Sequence, residues 1–465
     1  MKKHCAIILA AGKGTRMKSN LCKVLHPVAG KPMVSYVSEA VSLLGLDRTV
    51  VVVGHQAQDV RHCIDGPGIE FALQEPQLGT GHAVATAERL LGNFEGNLLI
   101  LCGDIPLMQP ATIQALLEFH QATDGPLTVA TTFLERPHGY GRIVRNQAGE
   151  VLWIVEEKDA GEAEKEIQEI NTGIYVADAA IVFRALRKVG VDNAQGEYYL
   201  TDVVGETVKE GLPVHRFVVS NPQEVLGVNT RADLAIVSRI VWDQRRDELM
   251  QSGVTLLDPG SVYVDADVKI GPDTVIFPSV TISGKTEVGS ECVIESGVFI
   301  SDCILKDRVK VLLGSRLESS LVDERSLVGP MAHLRPGTQV GKDARIGNFV
   351  EVKKTSVGDG SKAAHLTYLG DSTIGRGVNI GCGTITCNYD GKAKHPTIIG
   401  DRCFVGSDVQ FVAPVEIGEG SVIGAGSTIT KDVPPGSLAV SRAKQKNYPL
   451  RKGQGPDLSN ENPKP

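Results

Sequence analysis

Glycines and cations near the start of the chain have the types and spacing needed to bind phosphate. The segment Leu9–Met17, LAAGKGTRM, follows an apolar run of the kind that forms a buried strand. Gly12 and Gly14 allow backbone N–H groups to approach a phosphate closely, and Arg16 and Lys23 add positive charge. The segment matches neither a Walker loop nor the dinucleotide fingerprint. From the glycines alone, a purely structural turn is an equally good interpretation.

Two later segments carry side chains suited to catalysis. Asp104 follows the apolar run Leu98–Cys102, where an α/β sheet presents ligand groups, and a carboxylate oxygen suits Mg²⁺. His365 lies in the string GSKAAHLTYLGD, and a neutral imidazole can accept a proton from an attacking amine near pH 7. Arg335 and Lys353 could hold a phosphate near it. The alternatives are a capping aspartate, a surface histidine and two solvated cations.

The elements that must position the first group belong to an α/β domain. Short continuous apolar runs predict buried strands at Ala6–Ala10, Val50–Val53 and Leu98–Cys102. Between the first two, the amphipathic segment Pro32–Leu44 predicts a helix. This alternation is typical of a mainly parallel sheet in a layered α/β fold. Thr230 and Asp233 resemble a capping box, and Gly253 is a natural stop. The sequence therefore predicts a connecting helix of about 20 residues.

Beyond Gly253, aliphatic residues recur every six positions. The strict series is Val264, Ile270, Ile276, Ile282, Val288, Ile294 and Ile300, and it resumes from Val322 to Val352, at Ile374 and Ile380, and from Ile399 to Ile429. This period is typical of a parallel β-helix with three hexads per coil, which gives roughly ten coils. The series is interrupted near Lys306–Ser320 and at Thr386–Thr397, and both stretches are predicted to leave the wall as loops.

Composition excludes several classes of protein. The 465 residues carry a net charge of −7, so no excess of basic residues favours nucleic acid or an anionic membrane. No apolar run approaches the ~20 residues of a membrane helix, and the apolar start is better interpreted as a strand than as a signal peptide. The nine cysteines show no metal-ligand spacing, which favours a reducing cytoplasm. Residues 453–465 are predicted to be disordered.

The strings around the phosphate-binding segment carry a family resemblance. Leu9–Met17 followed by Lys23-Val24-Leu25 resembles the signature of sugar-nucleotide pyrophosphorylases, which join a nucleoside triphosphate to a sugar 1-phosphate. Further matching strings follow in order: QEPQLGTGH (74–82), CGD (102–104), GYGR (139–142), VE (155–156), NTG (171–173) and GVN (227–229). With the hexapeptide region, they resemble the bacterial bifunctional N-acetylglucosamine-1-phosphate uridyltransferases/glucosamine-1-phosphate acetyltransferases. Members usually have proline where this chain has Cys22.

The resemblance implies an architecture and two reactions. It implies an α/β chain with a Rossmann-like nucleotidyltransferase domain (1–229), a long linker helix (230–252) and a left-handed parallel β-helix acetyltransferase domain (253–465), associating as a homotrimer. The β-helix would acetylate glucosamine 1-phosphate with acetyl-CoA. The first domain would then join N-acetylglucosamine 1-phosphate to UTP, releasing pyrophosphate. The product, UDP-N-acetylglucosamine, would feed peptidoglycan and lipopolysaccharide synthesis.

The resemblance also implies the residues of both sites. The UTP and UDP-N-acetylglucosamine site would consist of Leu9, Ala10, Ala11, Gly12, Arg16, Lys23, Gln74, Gly79, Thr80, Cys102, Gly103, Asp104, Gly141, Glu156, Asn171 and Asn229, with Asp104 and Asn229 as Mg²⁺ ligands. His365 would be the acetyl-transfer base, and the acceptor would contact Arg335, Lys353, Tyr368, Asn379 and Lys394. Acetyl-CoA would contact Cys382, Asn388, Tyr389, Ser407, Ala425 and Arg442; the family commonly has alanine at position 382.

Two rival functions have the same general layout. One is a nucleotidyltransferase whose β-helix serves only regulation or assembly. The other is a non-enzymatic subunit of the nucleotide-exchange translation factor class. The residues around His365 disfavour the first rival, because a passive scaffold does not need them. The intact phosphate-binding charges disfavour the second.

Overall fold

The computed structural model describes residues 3–64, 66–123 and 125–450. The chain divides into two compact units: residues 1–247 with 264–267, and residues 248–263 with 268–465. The predicted disordered tail at 453–465 lies outside the described residues. Among the described residues, no helix combines the length and apolar character that crossing a bilayer requires.

The first unit is an α/β fold whose helices cover both faces of one sheet. Its strands are β1 (Lys3–Ala10), β2 (Pro27–Val28), β3 (Lys31–Pro32), β4 (Arg48–Val53), β5 (Ile69–Leu73), β6 (Gly96–Cys102), β7 (Leu127–Phe133), β8 (Arg142–Arg145), β9 (Val151–Val155), β10 (Glu169–Asp178) and β11 (Val214–Val218). The α-helices are α1 (Met33–Ser42), α2 (Ala57–Ile64), α3 (Thr80–Leu91), α4 (Pro110–Thr123), α5 (Glu162–Lys165), α6 (Ala179–Leu186), α7 (Asp202–Lys209) and α8 (Arg231–Gln251).

The main sheet has the order β11-β7-β10-β6-β1-β4-β5 and is largely parallel. Within that order β10 runs antiparallel to both β6 and β7. β8 and β9 extend the same sheet beside β10 through antiparallel pairings. Alternate residues of the central strands point into two separate apolar cores, one on each face. The three predicted strands are therefore confirmed as the buried centre of the sheet, where apolar runs without alternation are expected.

The predicted helices are also present, and the cap of α8 is the one that the sequence indicated. The Asp233 carboxylate accepts the backbone N–H groups of Asn229 (3.0 Å) and Thr230 (2.8 Å), and the Thr230 hydroxyl accepts the N–H of Asp233 (3.2 Å). These reciprocal bonds satisfy donors that a helix N-terminus otherwise leaves unpaired. Pro32, predicted in the first turn of α1, instead precedes it as the last residue of β3.

The second unit is a parallel β-helix built from very short strands. They are β12 (Thr255–Leu256), β13 (Tyr263–Val264), β14 (Lys269–Ile270), β15 (Val275–Ile276), β16 (Thr281–Ser283), β17 (Glu287–Val288), β18 (Val293–Ile294), β19 (Phe299–Ser301), β20 (Ile304–Leu305), β21 (Lys310–Val311), β22 (Arg316–Glu318), β23 (Leu321–Val322), β24 (Leu327–Val328), β25 (His333–Leu334), β26 (Gln339–Val340), β27 (Arg345–Lys353), β28 (Ser356–Val357), β29 (Lys362–Gly370), β30 (Ser372–Ile374), β31 (Asn379–Ile380), β32 (Ile385–Cys387), β33 (Thr397–Ile399), β34 (Phe404–Val405), β35 (Gln410–Val412), β36 (Val415–Ile417), β37 (Val422–Ile423), β38 (Thr428–Ile429) and β39 (Leu438–Ala439).

These strands form two sheets of 19 and nine strands, the smaller of which takes one strand from each coil. The aliphatic residues of the six-residue series are the inward positions, and nearly all are fully buried. Residues paired between neighbouring coils are usually 17 or 18 positions apart, as in Leu305↔Val322 and Val322↔Val340. The predicted β-helix is therefore confirmed, with buried columns supplied by the repeat.

One predicted interruption is a loop and the other is not. The prediction that Lys306–Ser320 leaves the wall is wrong, because Val311 and Leu317 pair in register with Ile294 and Ile300 of the preceding coil. The six-residue period slips there because Leu305 and Val322 each follow the preceding inward residue, Ile300 and Leu317, after five positions instead of six. At Thr386–Thr397 the prediction is confirmed: Ile374 pairs with Ile399, 25 positions away, and the extra residues form a protruding loop.

Candidate active sites

Two neighbouring parallel strands bring the glycine segment and Asp104 to the same edge of the sheet. Leu9 on β1 pairs with Cys102 on β6, and the backbone N–H of Gly103 donates to the carbonyl of Leu9 at 2.9 Å. The segments that follow β1 and β6 therefore leave the sheet side by side at its carboxyl edge, where parallel α/β sheets bind ligands. The pairing explains why residues more than 90 positions apart in sequence share a site.

The turn after β1 packs tightly against the segment that carries Lys23. Gly14 has a φ of +68°, and a Cβ added to it would lie 2.5 Å from the Cβ of Lys23. Cys22, which stands where the family usually has proline, donates its backbone N–H to the Gln56 Oε1 at 2.5 Å. Its thiol lies 3.5 Å from the carbonyl oxygen of Gly12. Gln56 thus satisfies the N–H that a proline would lack.

Four predicted residues from distant parts of the chain meet at this edge. The Lys23 ammonium forms an ion pair with the Asp104 carboxylate and lies 3.3 Å from the Asn229 Oδ1. The Arg16 guanidinium donates to the same Asn229 oxygen at 2.9 Å. The oxygens of Asp104 and Asn229 therefore converge on one cation. Two hard oxygen donors beside a phosphate-binding turn fit Mg²⁺, which usually takes few protein ligands and completes its shell with phosphate and water.

No group of three or more His, Cys, Asp or Glu side chains able to hold a metal occurs among residues 3–64, 66–123 and 125–450. A magnesium site that takes only Asp104 and Asn229 from the protein would not form such a group, because it contains one acidic side chain.

Two adjoining cavities open at the edge of the sheet and share Gly12, Lys23 and Glu197. The smaller, of about 220 Å³, is lined by Leu9, Ala11, Gly12, Lys23, Val24, Gln74, Gln77, Gly79, Thr80, Ala83, Cys102, Asp104 and Glu197. The larger, of about 590 Å³, is lined by Gly12, Gly14, Thr15, Arg16, Lys23, His138, Gly139, Glu156, Glu157, Lys158, Gln195, Glu197 and Asn229.

Twelve of the sixteen residues predicted for the nucleotide site line these two cavities. The other four are Ala10, Gly103, Gly141 and Asn171. These four belong to segments next to the cavities; for example, Asn171 donates its backbone N–H to the carbonyl of Gly141 at 2.9 Å. Sequence reasoning missed Glu197 and the charged pair Glu157-Lys158. The pair directly follows the matching string Val155-Glu156, which was the only signal that could have found it.

The smaller cavity is largely apolar and ends at the start of α3. The amide nitrogen of Gln74 contacts the Gly79 carbonyl at 3.0 Å and the His82 Nδ1 at 3.1 Å. Both contacts use the nitrogen, so the carbonyl oxygen is the atom that Gln74 can offer to a ligand N–H. Removal from solvent, reinforced by the nearby Asp104 carboxylate, raises the pKa of the Cys102 thiol to about 12. That thiol stays protonated at neutral pH and is not a nucleophile.

The larger cavity is lined mainly by charged and polar side chains. Burial raises the pKa of Glu156, whose carboxylate accepts a hydrogen bond from the Thr201 hydroxyl at 3.1 Å. Lys158 donates to the Gln195 Oε1 at 2.8 Å and so ties the end of β9 to the loop before Glu197. A cavity of this character can match the hydroxyl groups of a sugar.

In the β-helix, cations gather beside the long strands β27 and β29. Arg335 lies in the coil before Lys353, and its backbone N–H donates to the Val352 carbonyl at 2.8 Å. The ammonium of Lys394, which the protruding loop carries, lowers the pKa of Lys353 by its proximity. Lys394 in turn lies 3.9 Å from the Asp371 carboxylate. Arg335 is paired with the Glu351 carboxylate at 2.8 Å, so the two adjacent ammonium groups are the cations here that could attract an anion most readily.

His365 lies on the same pair of strands and is exposed. It pairs with Asn348 in the preceding coil, while Tyr368 pairs with Glu351. The Asn388 amide on the protruding loop donates to the Asp371 carboxylate at 2.5 Å and lies 3.5 Å from the Tyr368 hydroxyl. The structure therefore brings Tyr368, Asn388 and Lys394 together. Asn379 does not pair with any of these residues; it pairs in register with Lys362 in the preceding coil and Phe404 in the following coil.

Several predicted acetyl-CoA residues share one edge of the β-helix with His365. Ala363, Ile380, Val405 and Ile423 pair in register between coils, and the residues two positions after them form a file: His365, Cys382, Ser407 and Ala425. The guanidinium of Arg442 donates to the carbonyl of Ala425 at 2.6 Å. Since coils are about 4.8 Å apart, the file spans about 14 Å and suits an elongated ligand. Tyr389 is exposed on the loop, with its hydroxyl bonded to the Gly391 carbonyl at 2.7 Å.

Comparison with known proteins adds three kinds of similarity. The MobA-like NTP transferase domain family matches residues 6–167, and the bacterial transferase hexapeptide family (six repeats) matches residues 396–431. Proteins called bifunctional protein GlmU match almost the full length. The one from Pelobacter propionicus is 54% identical over 96% of this chain and 97% of its own, and that from Geobacter metallireducens is 52% identical over 95% and 97%.

A more distant relative of the same name, from Shouchella clausii, is 48% identical over 96% of this chain and 98% of its own. A crystal structure of UDP-glucose pyrophosphorylase complexed with UDP-glucose covers 53% of this chain and all of its own, with 20% identity and a TM-score of 0.43. The near full-length matches cover both units, so the likeness is not confined to either one.

Proposed function

This chain belongs to the family of bifunctional GlmU proteins, and from that premise we propose how its two sites divide the chemistry. It is a bifunctional enzyme of UDP-N-acetylglucosamine synthesis, with nucleotidyltransferase and acetyltransferase activities. Our proposal assigns uridylyl transfer to residues 1–229 and N-acetylation to residues 253–465, with residues 230–252 as the linker. The family's nucleotidyltransferases generally use Mg²⁺.

In the first site, the smaller cavity takes the uracil and ribose of UTP and the larger takes N-acetylglucosamine 1-phosphate. The apolar lining and the Gln74 carbonyl of the smaller cavity suit a planar base with an N–H donor. The charged lining of the larger cavity suits hydroxyl groups. The phosphates then lie at the shared wall, beside Gly12 and Lys23, where the two substrates must meet.

The cations at that wall fit the transfer of a phosphoryl group. An oxygen of the sugar phosphate attacks the α-phosphorus of UTP, and the bond to pyrophosphate breaks. Arg16 and Lys23 offset charge on the phosphates, and Lys23 exchanges its contact with Asp104 for a phosphate oxygen. Asp104 and Asn229 would hold Mg²⁺, which supplies neutralisation of the triphosphate charge when bound.

In the second site, the cation cluster holds the phosphate of glucosamine 1-phosphate while His365 acts on its amine. Arg335, Lys353 and Lys394 bind the phosphate. The amine nitrogen attacks the thioester carbonyl, its proton passes to the His365 imidazole, and the carbon–sulfur bond breaks to release coenzyme A. Acetyl-CoA lies along the file from Cys382 to Ala425.

The hexapeptide repeats favour assembly of the chain into a homotrimer, in which neighbouring copies complete the acetyl site. We place this assembly in the cytoplasm, because the nine free cysteines suit a reducing compartment. In this assembly the remaining predicted contacts are Tyr368 and Asn379 with the amino sugar, and Asn388, Tyr389 and Arg442 with the coenzyme. Light scattering of the purified protein tests the assembly: a mass of one or two chains would contradict it.

The observation that carries the proposal is the convergence of Arg16, Lys23, Asp104 and Asn229 at one sheet edge in a chain that also bears the His365 file. We expect Asp104→Ala to abolish Mg²⁺-dependent uridylyl transfer and leave acetylation intact. We expect His365→Ala to show the reverse pattern. The assay supplies glucosamine 1-phosphate, acetyl-CoA, UTP and Mg²⁺, and omits each in turn. Equal loss of both activities in a folded variant would contradict independent sites.

A further inference from the structure

One wall of the larger cavity is an irregular loop, His138–Gly141, which we name the rim loop. His138 and Gly139 line the cavity directly. Gly139 has a φ of +87° with open space around an added Cβ, so packing does not hold the loop at that point. The Tyr140 hydroxyl accepts the backbone N–H of Gly227 at 3.3 Å. The loop lies outside any strand or helix, and few backbone hydrogen bonds hold it, among them the one from the Asn171 N–H to the Gly141 carbonyl. Side-chain contacts therefore contribute to its position.

The carboxylate of Glu157 makes most of those contacts. It forms an ion pair with Arg142 at 2.7 Å, lies 3.0 Å from the His138 Nδ1, and accepts the backbone N–H of Gly139. Arg142 is only 2% exposed and also donates to the carbonyl of Tyr140. One carboxylate and its buried arginine partner therefore tie down three consecutive residues of the rim loop.

The Glu157 carboxylate is in the charge state that these contacts with the rim loop require. Burial alone would raise the pKa of Glu157, but the adjacent Arg142 guanidinium and the Gly139 N–H lower it below its ordinary value. The carboxylate is therefore ionised at neutral pH, and the buried guanidinium keeps its counter-charge. Breaking such a pair by removing one partner leaves a buried charge uncompensated, which is costly.

We propose that Glu157 is a positioning residue for the sugar-phosphate substrate: it holds the rim loop against the larger cavity and so sets the affinity for that substrate. This inference rests on the proposed function, since it assigns the sugar to the larger cavity. None of the Glu157 contacts reaches the smaller cavity, where we place the base and ribose. The effect should therefore divide unequally between the two substrates.

Two variants separate positioning from folding. Glu157→Gln keeps the shape of the side chain and an oxygen for the Gly139 N–H but removes the charge opposite Arg142, whereas Glu157→Ala removes every contact. Glu162→Gln is the matched control, because that side chain is fully exposed and belongs to the same region. Acetylation by the other half of each variant reports that the chain is folded.

The measurement is steady-state uridylyl transfer with each substrate varied in turn. In Glu157→Gln we expect the KM for N-acetylglucosamine 1-phosphate to rise about tenfold, and more in Glu157→Ala, since misplaced binding groups cost up to about a hundredfold. The KM for UTP and the activity of Glu162→Gln should stay unchanged. An unchanged KM for the sugar phosphate, or equal rises for both substrates, would overturn the inference. Uridylyl transfer that persists in Asp104→Ala would instead overturn the proposed function.

Discussion

Gly14→Ala should impair uridylyl transfer by displacing Lys23. The substitution places a Cβ 2.5 Å from the Lys23 Cβ, a contact too short to persist, so the segment carrying Lys23 must move by several tenths of an ångström or more. The φ of +68° adds strain of about 1–2 kcal/mol for a residue with a side chain. Because displaced catalytic groups cost up to about a hundredfold in rate, we expect kcat/KM to fall by about ten- to a hundredfold.

The control for this prediction is Gly149→Ala. Gly149 has a φ of +85° and no atom within 4 Å of an added Cβ, so its variant carries the backbone strain without the collision. Both activities of each variant are measured on the same preparation, together with thermal unfolding. We expect acetylation to be normal in both variants and uridylyl transfer to fall only in Gly14→Ala. If Gly14→Ala and Gly149→Ala transferred uridylyl groups equally well, the reasoning from the close contact would be refuted.

Three further predictions concern groups elsewhere in the chain. Lys394→Gln should raise the KM for glucosamine 1-phosphate. Because the Lys394 ammonium lowers the pKa of Lys353, phosphate binding by the variant should persist to higher pH than in the parent. If binding declined over the same alkaline pH range in both proteins, this prediction would be contradicted. Hydrogen bonds from neighbouring arginine and histidine side chains lower the pKa of Glu318 to about 2, so the stability it contributes is present above its unfolded pKa and is lost as pH falls toward 2. Urea unfolding should therefore show Glu318→Gln to be less stable than the parent at pH 7, with a difference that shrinks as the pH falls toward 2; a constant difference would exclude that linkage. Cys22→Pro should retain uridylyl transfer within about twofold, because the φ of −53° already suits proline, and Gln56→Ala should destabilise the parent more than it destabilises Cys22→Pro, as measured by a double-mutant cycle.

The sequence predicted the architecture well where one physical pattern dominates. Buried parallel strands need continuous apolar runs, and stacked coils need an inward aliphatic residue in each hexad, so both halves were predictable from periodicity alone. The shortened turns before Leu305 and Val322 were not predictable, since losing one residue at a corner and inserting a loop both shift the period of the aliphatic residues. Only the in-register pairing of Val311 with Ile294 distinguishes the two.

The sites were predictable to different depths. Residues in contiguous strings, such as Gly12 and Asp104, could be found because the string is itself the signal. Glu157 and Glu197 could not, because their roles come from contacts with segments distant in sequence, and a charged residue after a strand has no distinctive spacing. The partner of the Cys22 N–H is likewise invisible in sequence: Gln56 is 34 positions away.

The file that begins at His365 would fix distances within the proposed acetyl site in whole steps. Each member sits on a different rung of a hydrogen-bonded ladder, so their separations come in whole rungs of about 4.8 Å and are fixed by backbone rather than by side-chain packing. A substitution within one coil can alter the side chains that a ligand contacts, but it leaves the backbone distance from His365 to Ser407 unchanged. Only gaining or losing an entire coil between them could change that distance, and it would shift the proposed acetyl-CoA contacts by about 4.8 Å in one step.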